Sequence, residues 1–347
     1  MKNLYNNIYL IKNKLSYFIA YSKNLYYYLT SFSFIKNIKY NNSNIKNIVI
    51  IKDGALGDTI IIKDFILNII KHFNTSKIIL AINIKYKLFF EDLKIKIIDI
   101  NDITKVKSAD IIFDLTPKKE TFNKLKTLNP KIILCRSPIV ASDQLFKGFT
   151  KILKPKNNGH ITDYNNQLLK ELNIPTKENI KYKSYKENKQ IIIHVGGATK
   201  IKYLPKRIVK DMIKYFISKK YIINLTYGTP DELNYINNIK KEFKYKIIIK
   251  KHTLNSLNNL IKKSKLIISS DTGIAHMAGV LNKNLIVIYS TGDYKKWKPY
   301  GNNTKILYYS KCNGCGHYQN FKCTHECLNK LRLYDIIKKV NEFKIKW

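Results

Sequence analysis

Three charged residues stand shortly after apolar runs of the sequence, where strands would end. Asp58 lies in DGALGDT after NIVIIK, Lys202 lies in GGATKIKYLP after IIIHV, and Glu232 lies in GTPDE after YIINLTY. A carboxylate beside a ligand can take a proton from a hydroxyl, and a lysine near small residues can bind an anion. These residue types therefore mark candidate positions for proton transfer and for anion binding.

The stretch SSDTGIAHMAG follows the apolar run KLII and contains Asp271, Thr272, Gly273 and His276. It has two incompatible interpretations: an anion-binding turn at a helix start, or the Asp-Thr-Gly of an aspartic protease. The protease requires two such loops, from two lobes or two subunits, in a β-rich fold. The chain has one, embedded in an alternating α/β pattern, so the anion-binding turn is favoured.

Each of these residues also has an explanation that involves no chemistry. Asp58 is a good helix N-cap, and Glu232 would favour a helix N-terminus through the macrodipole. His276 would either contact a phosphate or pack as a core residue, and the glycine-rich turn before Lys202 is a weak signal alone. Both explanations stay open for each residue taken separately.

The elements that must position these residues alternate between short β-rich runs and longer helical patterns from residue 45 onward, which is typical of parallel sheets. A polar, lysine-rich segment at 174–189 separates two series and is interpreted as a linker. The predicted strands are 47–52, 77–82, 95–100, 109–115 and 131–135 before it, and 191–195, 221–227, 245–250, 265–270 and 284–290 after it. The predicted helices of the second series are 205–219, 231–243, 255–264 and 273–281.

This alternation predicts an α/β fold class with two doubly wound domains in tandem. Ligands of such sheets bind at the carboxyl ends of the strands, so the cleft between the domains is the expected site. Residues 1–44 are basic and aromatic, and are either a membrane-surface amphipathic helix or a helix packed on the domain. The predicted divisions are the extension at 1–44, domains at 45–180 and 181–330, and a C-terminal helix at 331–347.

The composition constrains the partners. The 347 residues are 45% hydrophobic and carry a net charge of +39, which resembles a nucleic-acid-binding protein. The only arginines are Arg136, Arg207 and Arg332, whereas specific base and phosphate recognition relies on arginine. The lysine excess resembles the product of an AT-rich coding genome. No specific nucleic acid is expected, while an anionic membrane or glycolipid surface remains a candidate partner.

The location expected from the sequence is the cytoplasm. No apolar stretch approaches the ~18 residues of a membrane span, and no signal-peptide cleavage pattern is present. Four of the five cysteines fall in CNGCGHYQNFKCTHEC, a spacing that allows a structural zinc site or a redox-sensitive cluster, with reduced packing cysteines as the alternative. These candidate metal ligands are Cys312, Cys315, Cys323 and Cys327, whereas Cys135 is expected in the core.

The motifs taken together resemble glycosyltransferase family 9, the heptosyltransferases of lipopolysaccharide core assembly. GALGD, HVGGATKIKYLP, GTPDE, SLNNLIKKSKLIISSDTGIAHMAG and the cysteine tail occur in the family's order and spacing over about residues 45–330. The resemblance implies the GT-B fold, with two Rossmann-like domains that face a central cleft. It also implies that the second domain binds a nucleoside-diphosphate sugar, commonly ADP-heptose, and that the first domain holds the acceptor.

The resemblance assigns a role to each matching residue. Asp58 matches the family's presumed general base, which would take the proton of the acceptor hydroxyl. Lys202 matches the lysine at the diphosphate, although K-Y-L-P lacks the family's tryptophan. Glu232 matches the acidic residue at the ribose. The residues that match the phosphate loop and the diphosphate motif are Gly197, Ala198, Thr199, Asp271, Thr272, Gly273 and His276.

The expected activity is an inverting glycosyl transfer to a lipopolysaccharide core or other envelope glycan, at the inner face of the cytoplasmic membrane. A helix N-terminus and Lys202 would stabilise the leaving diphosphate without a metal, so no cofactor is expected for catalysis. Two alternatives stay open: a GT-B protein that binds without catalysis, and a basic nucleic-acid-binding protein. Nucleotide-sugar turnover would distinguish the enzyme from both.

Overall fold

The computed structural model describes residues 40–136, 151–153, 159–176, 182–197, 199–243, 247–290, 292–309 and 326–343. They form two six-stranded sheets in which every pair of neighbouring strands is parallel. The first sheet has the order β3-β2-β1-β4-β5-β6, and the second has the order β9-β8-β7-β10-β11-β12. Both are therefore Rossmann-like sheets with the same strand order. In each sheet the chain first adds strands on one side of its first strand and then, from its fourth strand onward, on the other side.

The strands of the first sheet are β1 Asn47–Lys52, β2 Lys77–Ile82, β3 Lys96–Asp99, β4 Ile111–Asp114, β5 Ile132–Arg136 and β6 Lys151–Leu153. Those of the second are β7 Gln190–His194, β8 Ile222–Tyr227, β9 Ile247–Lys251, β10 Leu266–Ser270, β11 Leu285–Tyr289 and β12 Thr304–Tyr308. All ten predicted strands are present within one or two residues. The strands β6 and β12 were not predicted; β6 has only three residues, and β12 is a half-buried edge strand.

The described α-helices lie between and after the strands, and short 3-10 helices join several of them. Those of the first half are α1 Leu56–Ile60, α2 Lys63–His72, α3 Lys119–Lys126 and α4 Ile161–Lys170. Those of the second half are α5 Lys206–Ser218, α6 Pro230–Phe243, α7 Leu254–Lys263, α8 Gly273–Val280, α9 Tyr294–Trp297, α10 Glu326–Asn329 and α11 Leu333–Asn341. The four helices predicted in the second series are confirmed within about one residue.

Isoleucine-rich strands form the core because helices cover both faces of each parallel sheet. In β1 the side chains from Ile48 to Ile51 are all fully buried, on both faces of the strand. One apolar cluster continues from the first sheet through Ile274 and Met277 of α8 to Ile192 of β7. The two halves of the molecule are thus joined by apolar packing, and α8 lies at the junction.

Two sequence predictions fall partly outside the described residues. The N-terminal extension is described from Tyr40 onward only, and Cys312, Cys315 and Cys323 are not described. Cys327 is buried, and its thiol donates to the carbonyl of Ser290 at 3.6 Å. Cys135 is fully buried at the end of β5, as predicted. Among the described helices, none is long and apolar enough to cross a membrane.

Candidate functional site

The carboxyl ends of the two sheets meet where α1 packs against α8. A Cβ atom added to Gly57 of α1 would lie 2.5 Å from Cδ2 of His276, and one added to Gly273 of α8 would lie 2.9 Å from Cδ2 of Leu56. Each helix therefore uses a glycine to admit a side chain of the other. This packing brings the DGALGD and DTGIAH motifs, which are more than 200 residues apart in the sequence, into direct contact.

Asp58 lies in the first turn of α1, beside this contact. Helix α1 begins at Leu56 with Ala55 as its N-cap, and no side chain caps it. The N-cap explanation of Asp58 is therefore wrong, because Asp58 is the third residue of the helix. Its carboxylate is half-buried and close enough to His276 for its charge to act on the imidazole.

Lys202 and Asp271 form an ion pair on the second sheet's side of the junction. The Lys202 ammonium donates to the Asp271 carboxylate at 2.8 Å and to its carbonyl at 3.1 Å. Both side chains are only 12% exposed. Such a partly buried pair holds a cation in a fixed place at the end of β10, where a charge-assisted hydrogen bond is stronger than in water.

The N-terminus of α8 offers backbone N–H groups at the same place. Thr272 is the N-cap residue, but its side chain makes no capping hydrogen bond. Its hydroxyl instead lies 3.1 Å from the Ser269 hydroxyl, while the Ser270 hydroxyl donates to the carbonyl of Gly196. An uncapped helix N-terminus beside a lysine is a good place for an anion, because its N–H groups and macrodipole both favour negative charge.

Glu232 organises the glycine-rich loop after β7. Its buried carboxylate accepts hydrogen bonds from the backbone N–H groups of Gly197 at 3.0 Å, Gly228 at 2.6 Å and Thr229 at 3.3 Å. A Cβ atom on Gly196 would lie 2.2 Å from this carboxyl group, so the close approach requires glycine there. Glu232 thus ties the loops after β7 and β8 together.

Burial affects the charge of His276. The pKa of this imidazole is lowered, chiefly by desolvation, although the carboxylates of Asp271 and Asp58 oppose the shift. Because the ordinary pKa of histidine is about 6.5, a lowered value leaves His276 neutral at pH 7. The ring thus packs on Gly57 and contributes no positive charge, and its contact with a phosphate stays a prediction.

A second contact joins the two halves through His160. This residue is the N-cap of α4, and its Nδ1 accepts from the backbone N–H of Thr162. Nε2 therefore carries the proton and donates to the carbonyl of Lys298 at 2.9 Å. The ring also makes an edge-to-face contact with Tyr300, with 5.9 Å between the ring centroids. The junction of α1 with α8 is therefore reinforced from a second side.

Comparison with known proteins gives the family. Residues 144–328, just over half of the chain, match the model of glycosyltransferase family 9 (heptosyltransferase). The chain belongs to glycosyltransferase family 9. It is also 24% identical over 105 residues to lipopolysaccharide heptosyltransferase 1 of Escherichia coli, a match that covers 30% of this chain and 33% of that protein.

Solved structures of family 9 proteins share the whole architecture. The glycosyltransferase family 9 protein of Veillonella parvula superposes with a TM-score of 0.72 at 17% identity, over 88% of this chain and 98% of that one. The E. coli heptosyltransferase WaaC with ADP gives a TM-score of 0.68 at 13% identity, over 85% and 99%. Identities this low establish the fold alone, and the GT-B prediction is confirmed.

Within this family 9 fold, the structure brings most of the predicted residues together. Asp58, Asp271 and Lys202 all lie near His276, since the charges of these three residues act on its imidazole. Gly197 and Glu232 are joined by a hydrogen bond in the loop after β7, the same loop that leads to Lys202. Thr199 is the N-cap of the 3-10 turn that contains Lys202. Ala198 lies outside the described residues. The individual roles of these residues stay predictions.

The predicted zinc site lies mainly in undescribed residues. Over the described ranges, no group of three or more histidine, cysteine or acidic side chains could hold a metal ion. Cys327, the described member of the cluster, is a packed core residue near β11. The described residues thus give the zinc site no support.

Sequence reasoning missed three charged residues at the ends of first-sheet strands. Lys52 ends β1, Asp114 ends β4 and Arg136 ends β5. Lys52 is 4% exposed and Asp114 is fully buried, and the Asp114 Oδ2 and Arg136 Nε atoms have no hydrogen-bond partner within the described structure. The available signal was a charged residue as the last letter of an apolar run, in NIVIIK, IIFD and IILCR.

These three side chains are electrostatically linked. Desolvation lowers the pKa of Lys52 to about 8; the Arg136 charge adds to the shift, whereas Asp58, Asp53 and Asp114 oppose it. Desolvation raises the pKa of Asp114 to about 7 against the opposing effects of the Thr116 N–H, Lys52 and Arg136. The first-sheet edge therefore contains two groups whose pKa values are shifted toward neutral pH.

Proposed function

We propose that this protein transfers a sugar from a nucleoside-diphosphate donor to a glycan acceptor, with inversion at the anomeric carbon. The observation that carries the proposal is the contact of α1 with α8. Near this contact lie the Asp58 carboxylate, the uncapped N-terminus of α8 and the Lys202 ammonium. A base and an anion site close to one junction would support a single displacement at the anomeric carbon.

In this mechanism, Asp58 takes the proton of the acceptor hydroxyl as its oxygen bonds to the anomeric carbon. The bond from that carbon to the diphosphate oxygen breaks, and its electron pair leaves with the nucleoside diphosphate. The growing negative charge on the diphosphate is stabilised by the N–H groups of α8 and by Lys202. Asp271 positions the Lys202 ammonium through the 2.8 Å ion pair.

The proposed donor is ADP-heptose, and the proposed acceptor is a lipopolysaccharide core or another envelope glycan. Support comes from the family and from WaaC, whose structure contains ADP. Glu232 is proposed to lie at the ribose, with Gly197, Ala198 and Thr199 along the phosphates. Since three N–H groups already use the Glu232 carboxylate, a ribose hydroxyl would bond to lone pairs that remain.

Transfer is proposed to need no metal, because Lys202 and the helix N-terminus supply positive charge where the diphosphate leaves. Turnover that is unchanged by EDTA, and not raised by added Mg²⁺, is the expected result. The proposed place of action is the cytoplasmic face of the membrane, supported by the net charge of +39. Sedimentation with phosphatidylglycerol vesicles but not with phosphatidylcholine vesicles would support this location.

The activity is tested with purified protein and with Asp58→Ala, using ADP-heptose and UDP- and GDP-sugars. The wild type should bind and turn over at least one donor, whereas Asp58→Ala should bind it with similar affinity and lose about 10²–10⁴-fold in rate. Absence of binding and turnover with every donor would refute the enzyme. Binding without turnover would instead favour the non-catalytic GT-B protein.

A further inference from the structure

The Lys52 ammonium and the Asp58 carboxylate both lie close to the position that a side chain on Gly54 would occupy. A Cβ atom added to Gly54 would lie 3.4 Å from the Lys52 Nζ atom and 3.6 Å from the Asp58 Oδ2 atom. The ammonium and the carboxylate are therefore at most about 7 Å apart. Because Gly54 has no side chain, no atom of that residue stands at the point that both charged groups approach.

Burying a lysine in a parallel sheet is costly, so its charge needs a partner. Lys52 is the last residue of β1 and is only 4% exposed. Three carboxylates act on it, those of Asp58, Asp53 and Asp114. The question is which of the three balances the buried ammonium.

Two of the three carboxylates are engaged in other ways. Asp53 forms an ion pair with Lys118, at the surface. Asp114 is fully buried, and with a pKa raised to about 7 it is partly protonated at neutral pH. Asp58 has the largest of the favourable effects on Lys52, and it is the carboxylate that faces the cleft.

The other charged groups around Asp58 do not replace Lys52. Arg136 of β5 acts on Asp58, but its guanidinium donates to the Asn165 side chain at 2.5 Å and lies over the Tyr164 ring at 5.1 Å. His276 of α8 also faces Asp58, and burial keeps its imidazole neutral at pH 7. Lys52 is thus a buried cation near the Asp58 carboxylate that has no other described hydrogen-bond role like that of Arg136.

We propose that Lys52 is a positioning residue for proton transfer: its buried ammonium, which lies beside Gly54, attracts the Asp58 carboxylate and orients it toward the acceptor hydroxyl. Lys52 does not touch the substrate in this assignment, and it acts only through Asp58. The inference rests on the proposed function, since it requires Asp58 to be the base. It adds a residue of the first sheet that none of the sequence motifs marked.

The test is the pH dependence of kcat for Lys52→Met, with ADP-heptose as donor. Removing the cation makes protonation of the Asp58 carboxylate easier, so the half-maximal pH on the acid side should rise by about one unit. At pH values well below the half-maximal pH of the wild type, kcat should fall about tenfold, while the donor affinity stays within about twofold. Lys52→Arg, which keeps the positive charge, should retain most of the wild-type profile.

The matched control is Lys283→Met. Lys283 is also a lysine that is 4% exposed, but it pairs with Glu187 at 2.5 Å in the second half of the chain. Its loss should lower the thermal stability without moving the acid side of the pH profile. If Lys52→Met does not fold, Lys52→Gln, which keeps a polar end group, provides the same measurement.

Two failures are distinguishable. A wild-type protein without turnover refutes the proposed function itself. An active wild type whose acid-side pH does not move in the Lys52 variants, even where kcat drops, refutes the inference and leaves Lys52 a structural residue. A shift that Lys283→Met reproduces would refute it as well.

Discussion

The two strand-end edges that meet at the α1–α8 contact hold their polar groups in different ways. At the second-sheet edge, the polar groups are bonded to the main chain: Glu232 to three N–H groups, and Lys202 to Asp271 and its carbonyl. At the first-sheet edge, Asp114 Oδ2 and Arg136 Nε are buried without partners in the described structure. At the second edge the hydrogen bonds of Glu232, Lys202 and Asp271 hold the loops in place before any ligand binds. At the first edge, charged side chains keep buried atoms without hydrogen-bond partners.

This difference fits the proposed roles of the two edges, which are donor binding at the second and proton transfer from the acceptor at the first. A diphosphate is the same in every nucleotide sugar, and a rigid arrangement of N–H groups can be complete before it binds. An acceptor hydroxyl must lose a proton, which requires side chains that titrate, and unfilled hydrogen bonds are tolerated where a substrate or a proton will arrive. The comparison therefore predicts that mutations at the second edge change binding, and those at the first edge change pH dependence.

Among the variants that test this comparison, the largest effect on kcat/KM is expected for Gly57→Ala, which separates the two edges. The new methyl group would lie 2.5 Å from Cδ2 and 3.1 Å from Nε2 of His276, so α1 and α8 must move apart. A displacement of about 1 Å can cost 10²-fold in rate, and we expect that loss in kcat/KM. Steady-state kinetics with the nucleotide-sugar donor measures it.

The second-site variant His276→Ala provides the control for this steric explanation. The double variant Gly57→Ala/His276→Ala should be no less active than His276→Ala alone, because the clash has been removed. Gly159→Ala should resemble the wild type, since its Cβ would approach no atom of the described residues closer than 4.0 Å. An inactive double variant that is worse than His276→Ala would contradict the steric explanation.

Lys202→Ala should produce the next largest effect, on donor binding. Removing the ammonium leaves the buried Asp271 carboxylate without its 2.8 Å partner and the diphosphate without a cation. We expect the Kd for ADP, measured by calorimetry, to rise about 100-fold, equivalent to about 2.7 kcal/mol. Lys200→Ala, which removes an exposed lysine from the same loop, should change the Kd less than threefold. An equal loss in both variants would indicate a general charge effect.

The strands were predictable because a parallel sheet buries both faces of each strand, and the sequence records this as apolar runs. The edge strand β12 was missed because TKILY carries a lysine and its residues are mostly half-buried. The strand order could not be read from periodicity, since it depends on contacts between distant segments. It is established by the register of β1 with β4 and of β7 with β10.

The motif residues of the site were predictable because each follows a strand, but their partners were not. No local pattern indicates that Gly57 admits the ring of His276 or that Glu232 reaches the N–H of Gly197. The Asp58 helix shows the limit most clearly: Asp is a frequent N-cap, yet Ala55 takes that position. Lys52, Asp114 and Arg136 were passed over because a charged last letter of a strand usually faces solvent.

Asp114→Asn tests the pH dependence expected of the first edge. A carboxyl with a pKa raised to about 7 binds its proton more tightly in the folded chain, so stability is lost as the pH rises from about 4 to 7. The asparagine has no proton to lose. Relative to wild type, the variant should gain on the order of 2–3 kcal/mol more unfolding free energy at pH 8 than at pH 5, as measured by urea denaturation. The same gain at both pH values would contradict a raised pKa.

The smallest effect is expected for Glu232→Gln. This variant tests whether the hydrogen bonds of the Glu232 carboxylate hold the loops of the second edge in place for the donor. The amide keeps one oxygen for the N–H groups of Gly228 and Thr229, but its NH₂ group would face the N–H of Gly197, which now donates at 3.0 Å to Oε1. One lost acceptor costs about 1–3 kcal/mol, so the thermal midpoint should fall and the donor KM should rise about tenfold, with kcat nearly unchanged.

The matched control is Asp231→Asn, one residue earlier on the exposed side of α6, which should leave both quantities close to wild type. A fall in kcat without a change in KM would instead indicate that Glu232 takes part in proton transfer. The assignment of donor binding to the second edge and of proton transfer to the first would then be wrong.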